Sequence, residues 1–281
     1  MELQPTAFGH VEVKTGVSLY YERHGSGPPL VLVAGTGCDH TFWRLQVPVY
    51  LEDHEVILLD TRGAGRSSVV TDVESYSPAV MADDVAGLLE ALGIPAAHVA
   101  GHSLGSCIAQ ELVLRHPERV LSAQMHATWA RADLWLNRAF IGTTRYPLAL
   151  GDLQTTFKTV TMWMLSAEYL QTRLPERVAE TVTKTLVKNP HLQPNEGMLG
   201  HLRADEVHDT ADRLGQIRLP TLVTAGEADL LIPARYGKTV ADAIPRARWH
   251  LFTGSRATHA YPWELEDSFN EVTRSFLREV S

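Results

Sequence analysis

The chain has 281 residues, of which 33 are acidic and 25 basic, giving a formal net charge of −8 at pH 7. Nucleic acids and anionic membrane surfaces attract clustered basic side chains, so this acidic balance argues against both as partners. The length and a hydrophobic content of 44% are enough for one globular unit with a large core.

The first residues predict a β-hairpin and no targeting segment. Polar and apolar side chains alternate over residues 10–23, on both sides of Thr15 and Gly16. The N-terminus lacks the basic start and apolar run of a signal peptide, and no apolar run is long enough to span a membrane. With only two cysteines there is no disulfide framework, and we expect a cytoplasmic protein.

Strand and helix patterns then alternate along the chain. Ser77 and Pro78 form a good start for a helix with an apolar stripe over residues 81–92, and residues 265–276 have a similar stripe. Alternation of this kind predicts an α/β fold with a mostly parallel sheet and helices on both faces. The apolar runs typical of buried parallel strands are residues 30–33, 56–59, 97–100, 120–125, 220–225 and 249–252.

The alternation stops over residues 128–206, where only helical patterns occur. This stretch is too long for a simple crossover, so we interpret it as a helical cap inserted into a core of residues 1–127 and 207–281. Its many Trp, Phe and Met residues favour a roomy apolar pocket beneath it, although most of them must pack the helices together. Three of its arginines, Arg131, Arg138 and Arg145, could meet a substrate carboxylate, but solvated positions are the simpler interpretation.

The sequence GHSLGS places Ser103 between an apolar strand and a helix that ends before Pro117. A serine on a sharp strand-to-helix turn needs small neighbours, and Gly101 and Gly105 provide them. The hydroxyl then lies above the sheet at the start of a helix. This context predicts a nucleophile elbow rather than an ordinary glycine-rich turn.

A serine nucleophile requires a base and a carboxylate that orients the base. In proteins with an open parallel sheet, the active-site side chains lie at the carboxyl ends of the strands. Asp229 and His259 follow the last two predicted strands. Other groups also follow strands, and a structural role is the default for each. These alternatives are Glu227 and Asp60 for the acid, and His102 and His126 for the base.

Four motifs in this order resemble those of the α/β-hydrolase superfamily over nearly the whole chain, and especially its enol-lactonase and carboxylesterase branch. The resemblance implies that Ser103 is the nucleophile, His259 the general base and acid, and Asp229 the orienting carboxylate. It also implies that the Asp60 motif is a structural loop tied by Arg62. The four motifs are GHSLGS, DTRGAGRS from residue 60, GEADLLIP from residue 226 and HAYPWE from residue 259.

An oxyanion hole needs two donors directed at the developing charge. We expect the backbone N–H of Leu104, at the start of the helix after the serine, to be one of them. The other is expected in the loop after the first buried strand, at the Thr36 N–H. Related enzymes have His-Gly at the start of this loop, whereas this chain has Ala34 and Gly35, which leaves open how the loop is held.

No pattern in the sequence predicts a metal or cofactor. His201 and His208 are too loosely spaced for a ligand pair, and no glycine-rich stretch matches a dinucleotide or phosphate loop. Cys38 and Cys107 are expected to be small buried residues.

The sequence therefore predicts a hydrolase of a small or medium-sized ester, lactone or enol-lactone, acting on a largely apolar small molecule. Two other interpretations stay open. The same residues could serve a non-hydrolytic biosynthetic reaction, by proton transfer, elimination, cyclisation or acyl transfer, or they could be retained in a ligand receptor.

Overall fold

An eight-stranded sheet lies at the centre of the protein in a computed structural model that describes residues 4–150, 153–173, 191 and 193–281. The strands are β1 (Ala7–Glu12), β2 (Ser18–His24), β3 (Pro29–Val33), β4 (Glu55–Leu59), β5 (Ala97–His102), β6 (Val120–His126), β7 (Thr221–Gly226) and β8 (Ala247–Phe252). Their order is β1-β2-β4-β3-β5-β6-β7-β8. β2 is antiparallel to both β1 and β4, and the other neighbours are parallel.

The helices follow the strands along the chain. They are α1 (Val47–Tyr50), α2 (Pro78–Ala91), α3 (Leu104–Arg115), α4 (Leu134–Phe140), α5 (Tyr146–Ala149), α6 (Leu153–Met164), α7 (Ala167–Arg173), α8 (Asn195–Val207), α9 (Ala234–Ala243), α10 (Tyr261–Glu264) and α11 (Glu266–Val280). One π-helical segment (Ile141–Arg145) joins α4 to α5, and short 3₁₀ turns cover His40–Trp43, Val73–Ser75, Pro117–Arg119 and Leu214–Gln216.

The central strands β3 to β7 are buried on both faces of the sheet. Successive residues of a strand point to opposite faces, and a hydrophobic cluster covers each face. Val31, Ile57 and Val99 belong to a hydrophobic cluster that also contains side chains of α2, α3 and α9. Leu30 and Leu32 belong to a second cluster with side chains of α1 and α11. Burial on both faces explains why these strands read as continuous apolar runs instead of alternating ones.

The structure confirms the predicted α/β class and the positions of the strands. Each of the six predicted strands overlaps an observed one, with ends that differ by at most two residues. The predicted hairpin is formed by β1 and β2. Ser77 caps α2 as expected, since its hydroxyl accepts the Val80 N–H at 3.3 Å.

Between β6 and β7 the described residues form helices α4 to α8 and no strand. Trp129 and Phe140 are buried there in a small cluster with Leu202. Trp135 and Met162 are exposed instead, so the large apolar residues of this segment do not all face inward. Residues 151–152, 174–190 and 192 of the predicted cap lie outside the described residues. The boundaries at residues 128 and 206 stay a prediction.

Candidate active site

Ser103 lies on the sharp turn between β5 and α3. Its backbone has φ 54° and ψ −123°, a conformation that non-glycine residues adopt rarely and at a cost. Several hydrogen bonds hold the turn. The Ser103 N–H donates to the His126 carbonyl at 2.9 Å, and the Ser103 carbonyl accepts the Ser106 N–H at 2.8 Å and the Ser106 hydroxyl at 2.5 Å. This geometry agrees with the nucleophile elbow predicted from the sequence.

The glycines around Ser103 stand where no side chain fits. A Cβ atom on Gly101 would lie 2.1 Å from the Gly105 carbonyl oxygen, and one on Gly105 would lie 2.1 Å from the Val33 carbonyl oxygen. On the other side, a Cβ atom on Gly35 would lie 3.0 Å from the Ser103 Cβ. At each of these three glycines, an alanine would collide with neighbouring atoms. The close packing of β3, β5, α3 and the loop after β3 around Ser103 therefore requires glycine at these positions.

Asp229 and His259 are joined by a direct hydrogen bond. The His259 Nδ1 lies 2.8 Å from the Asp229 Oδ2, and both side chains are almost completely buried. The second carboxylate oxygen, Oδ1, accepts the backbone N–H groups of Leu231 and Ile232 at 2.9 and 2.8 Å. These contacts fix the carboxylate in one orientation against the imidazole ring.

The loops that carry Asp229 and His259 are packed directly on each other. The Ala228 N–H donates to the Ala257 carbonyl at 2.9 Å. A Cβ atom on Gly226, the last residue of β7, would lie 2.2 Å from the same carbonyl oxygen. The short distance between acid and base therefore depends on a glycine at the end of the strand.

The competing carboxylates are engaged elsewhere. Glu227 is exposed, and its Oε2 accepts the Gly254 N–H at 2.9 Å. Asp60 is buried and accepts the His40 N–H and the Arg66 N–H at 2.8 and 2.9 Å. Its Oδ1 also lies 2.7 Å from the His40 Nδ1. Glu227 therefore holds the loop after β8, and Asp60 organises the loop after β4.

The two competing histidines are also held by their neighbours. The His126 Nδ1 lies 2.8 Å from the Thr224 hydroxyl, and burial lowers the pKa of this ring to about 3. The sequence position of His102 predicts a ring that points into the sheet, but the residue borders the cavity next to Ser103 instead. Its Nε2–H donates to the His259 carbonyl at 3.0 Å, and its ring stacks on Phe42. Burial lowers the pKa of His102 well below its usual range, so the ring is neutral.

The loop after β3 is held by helix α8. The Thr36 hydroxyl donates to the Asp205 Oδ2 at 2.7 Å, and the Gly37 N–H donates to the His201 Nδ1 at 3.3 Å. The His201 Nε2–H in turn donates to the Arg62 carbonyl at 2.7 Å. Burial lowers the pKa of His201 to about 4, so the ring stays neutral with Nδ1 free to accept. These contacts show how the loop is held in a chain that has Ala34 where related enzymes have histidine. The local sequence does not reveal them, because His201 and Asp205 are remote in sequence.

A cavity of about 550 Å³ connects these groups. Ser103, His259 and Thr36 border it, and Leu104 follows Ser103 directly as the first residue of α3. Most of its wall is apolar, with contributions from the β6–β7 segment and from the loops of the sheet; the apolar side chains include Phe140, Met164, Met198, Leu202, Leu231 and Trp263. The structure thus brings the predicted nucleophile, base and loop to one cavity.

Glu264 connects the segment between β6 and β7 to the loop of His259. This buried carboxylate accepts the Ser166 N–H at 2.8 Å and the Ser166 hydroxyl, and it also accepts the Thr258 hydroxyl at 2.7 Å. The Ala260 N–H donates to the Met164 carbonyl at 3.0 Å. The turn after α6 is therefore tied to both neighbours of His259. The glutamate of the HAYPWE motif has a positioning role that the sequence did not suggest.

Neither cysteine is a good candidate for a nucleophile in this site. Cys107 is fully buried in α3, as expected. Cys38 is only half-buried and borders the cavity, but burial of its thiol raises the pKa to about 12. A thiol with such a pKa is protonated near pH 7 and is a weak nucleophile.

The three arginines singled out in the sequence are not among the residues that border the cavity. Arg131 forms ion pairs with Asp209 and Asp212, and Arg145 pairs with Glu206. Arg138 is exposed. The structure therefore agrees with the simpler interpretation, in which these arginines are solvated or paired at the surface and do not meet a substrate carboxylate.

Two features are absent from the residues that the structure describes. No group of three or more His, Cys, Asp or Glu side chains among them could hold a metal ion. Within the same residues, no helix combines the length and the apolar character needed to cross a membrane.

Fold and sequence together define the class of the protein. The family model described as the alpha/beta hydrolase fold matches residues 28–258. The chain belongs to this family and is a hydrolase of the α/β class.

Individual relatives cover almost the whole chain. A protein of Azorhizobium caulinodans that carries the name carbamate hydrolase RutD is 37% identical over 267 residues, which span 93% of this chain and 96% of the relative. A hydrolase of Pseudomonas aeruginosa has a crystal structure with a TM-score of 0.84 at 27% identity, covering 98% and 99% of the two chains. The enol-lactonase of Burkholderia xenovorans has a TM-score of 0.81 at 26% identity, covering 96% and 100%.

Proposed function

We propose that the protein is a serine hydrolase that cleaves a small or medium-sized carboxylic ester, lactone or enol-lactone through an acyl-enzyme. The observation that carries this proposal is the 2.8 Å hydrogen bond between Asp229 and His259 beside a strained Ser103 in the same cavity. Each of the three residues follows a parallel strand, where the catalytic groups of open α/β sheets gather.

In the acylation step, the Ser103 hydroxyl attacks the carbonyl carbon of the substrate while the His259 Nε2 accepts the hydroxyl proton. Asp229 accepts the Nδ1–H, so the ring keeps Nε2 free as the base and its positive charge is stabilised after the transfer. The protonated ring then donates its proton to the leaving alkoxide. An open-chain ester then releases its alcohol, whereas the oxygen freed from a lactone stays attached to the acyl chain. In both cases the acyl group is left bonded to the Ser103 oxygen.

The negative charge that develops on the carbonyl oxygen needs donors already in place. We assign this role to the backbone N–H groups of Leu104 and Thr36. Support comes from the position of Leu104 at the first turn of α3 and from the two contacts by which α8 holds the Thr36 loop. A water molecule activated by His259 then attacks the acyl group and releases the acid.

The substrate is proposed to be a largely apolar small molecule. The apolar wall of the cavity supports this, and we infer that residues 128–206 act as a cap that shields the reacting groups from water. The names of two relatives indicate carbamate and enol-lactone chemistry for those proteins. Both groups carry a carbonyl bonded to a heteroatom, which is the group this mechanism attacks.

The proposal is tested by trapping the covalent intermediate. A fluorophosphonate probe is expected to label Ser103, and an activated aryl ester small enough for the cavity is expected to give a phenolate burst close to one equivalent of enzyme. Intact-mass measurement after quenching should show the acyl group on the peptide that contains Ser103. Ser103→Ala should lower kcat by about 10⁴-fold or more.

His259→Ala serves as the second variant, because it should suppress the burst while leaving Ser103 in place. Turnover of a natural substrate without any adduct on Ser103 would favour the non-hydrolytic proton-transfer reaction over this proposal. Absence of both labelling and turnover, with a ligand still bound in the cavity, would favour a receptor.

A further inference from the structure

Two buried polar side chains border the cavity without the hydrogen bonds that buried polar groups normally make. Gln193 and Asp205 are 6% and 1% exposed. Within the described part of the chain, both amide atoms of Gln193 and the Oδ1 of Asp205 have no hydrogen-bond partner. Unpaired groups of this kind destabilise a fold, so they call for an explanation.

Both side chains lie beside the loop that carries Thr36. Asp205 accepts the Thr36 hydroxyl on Oδ2, which leaves Oδ1 as its unpaired atom. The Gln193 Oε1 lies 3.5 Å from the point where a Cβ atom on Gly37 would stand. The two unpaired side chains thus lie beside two neighbouring residues of one loop. The cavity has a polar side here, in contrast to its mostly apolar wall.

Asp205 is expected to be an uncharged acid. Its burial, with the Glu206 carboxylate nearby, raises its pKa well above the usual range, and the Thr36 hydrogen bond opposes this only in part. With Oδ2 accepting from Thr36, the acid proton belongs on Oδ1. Asp205 then offers an O–H donor, and Gln193 offers an N–H donor and a carbonyl acceptor.

We propose that Gln193 and Asp205 form a polar subsite that binds a planar substrate group containing both N–H and C=O, such as a carboxamide, carbamate or urea. The Asp205 O–H donates to the carbonyl of this group, and the Gln193 Oε1 accepts its N–H. A ligand of this class satisfies the unpaired atoms on both side chains. The inference rests on the proposed function only for the location of the scissile carbonyl near Ser103.

The test uses three methyl esters that differ in one terminal group. Methyl succinamate ends in a carboxamide, methyl levulinate replaces its NH₂ by a methyl group, and methyl 4-methylpentanoate removes the carbonyl as well. Homologues with one methylene fewer and one more cover the unknown distance from the ester. Binding is measured by calorimetry with Ser103→Ala, which cannot turn the esters over, and kcat/KM is measured with the unsubstituted enzyme.

At one chain length at least, the carboxamide should bind about tenfold or more tightly than the alkyl ester, with the ketone in between. Adding Gln193→Met should abolish the advantage of the carboxamide over the ketone, because methionine is of similar size and lacks the acceptor. The control Met164→Leu changes an apolar wall residue and should leave the advantage intact.

Substitutions of Asp205 test its protonation state. Asp205→Asn can still accept the Thr36 hydroxyl and places an N–H where the acid O–H stood, so the advantage of the ketone over the alkyl ester should persist. Asp205→Leu should abolish it. Gln193→Met should leave the thermal unfolding temperature unchanged or raise it, because the amide has no partner within the described residues. A purely structural role for Gln193 would predict a loss of stability.

The outcomes separate this subsite from the proposed reaction. Equal affinities for the three esters at every chain length, or preferences untouched by Gln193→Met and Asp205→Leu, would overturn the subsite. If the enzyme hydrolysed the alkyl ester in that case, the proposed reaction would stand. Preferential binding of the amide by Ser103→Ala, with no acylation of Ser103 in the unsubstituted enzyme, would retain the subsite and refute the hydrolysis.

Discussion

At the scale of single residues, Asp229 is the most constrained member of the candidate triad. Three hydrogen bonds hold its carboxylate, one from His259 and two from the backbone. Such a group acts on the reaction only through the imidazole that it orients. Replacing one oxygen of the Asp229 carboxylate by an amide nitrogen therefore tests the candidate triad with little disturbance of the fold.

Asp229→Asn is expected to lower kcat by about 10⁴-fold with little change in KM, because the amide N–H favours the wrong tautomer of His259. Initial rates with an ester substrate over a range of concentrations measure both constants. Glu227→Gln is the matched control, since its amide oxygen can still accept the Gly254 N–H. A larger loss for Glu227→Gln than for Asp229→Asn would identify Glu227 as the orienting carboxylate.

Strand patterns placed Ser103, Asp229 and His259 at strand ends, and the resemblance to α/β-hydrolases then selected them over other residues that also follow strands. The sequence could not predict the partners of the loop at Thr36. His201 and Asp205 lie on a helix remote in sequence, and their roles depend on how that helix packs. Gln193 was missed for the same reason. Side chains that act through tertiary contacts leave no local signal in a single sequence.

At the scale of elements, the contact between β3, β5 and α3 positions the serine. Gly101 and Gly105 permit backbone atoms to pass at distances that a Cβ atom would forbid. The sequence predicted this requirement, because a serine flanked by glycines at the end of a strand has few other structural explanations. The observed strand ends differ from the predicted ones by at most two residues. One cause is that residues beyond the apolar run continue the strand pairing, as His102 does in β5.

Gly105→Ala should destabilise the protein by about 3 kcal/mol or more, because the new methyl group meets the backbone carbonyls of Val33 and Ala34, which cannot move independently of β3. Urea unfolding followed by fluorescence measures the change. Gly142→Ala is the control, since its Cβ would have open space in an exposed helical position and should leave stability equal or slightly higher. Equal effects of the two substitutions would contradict the close approach.

At the scale of the whole molecule, burial keeps several histidines neutral. It lowers the pKa of His98 and His201 to about 4 and that of His126 and His208 to about 3. In the unfolded chain these rings titrate near 6.5. Between pH 6.5 and 4 the unfolded state therefore binds more protons than the folded state, and stability falls as the pH falls.

The free energy of unfolding should accordingly decrease from pH 6.5 towards pH 4.5, by up to about 1.4 kcal/mol per pH unit for each such ring. The raised pKa of Asp205 opposes this trend in part. Urea midpoints at several pH values measure the slope. His98→Gln should reduce it, because glutamine can bond to the Ser122 hydroxyl without titrating. His10→Gln, an exposed site, is the control; a slope unchanged by His98→Gln would argue against the neutral ring.

The hydrogen bonds that hold the loop at Thr36 and Gly37 join residues 169 and 164 positions apart. Contacts so distant in sequence form late, because the intervening chain loses entropy before the contact is gained. During synthesis, Ser103 and its elbow leave the ribosome well before His201 and Asp205. A nascent chain that ends before residue 201 therefore contains Ser103 but lacks Asp229, His259 and the residues that hold the loop at Thr36. Under the proposed mechanism, efficient turnover begins only after the second half of the protein has been made and folded.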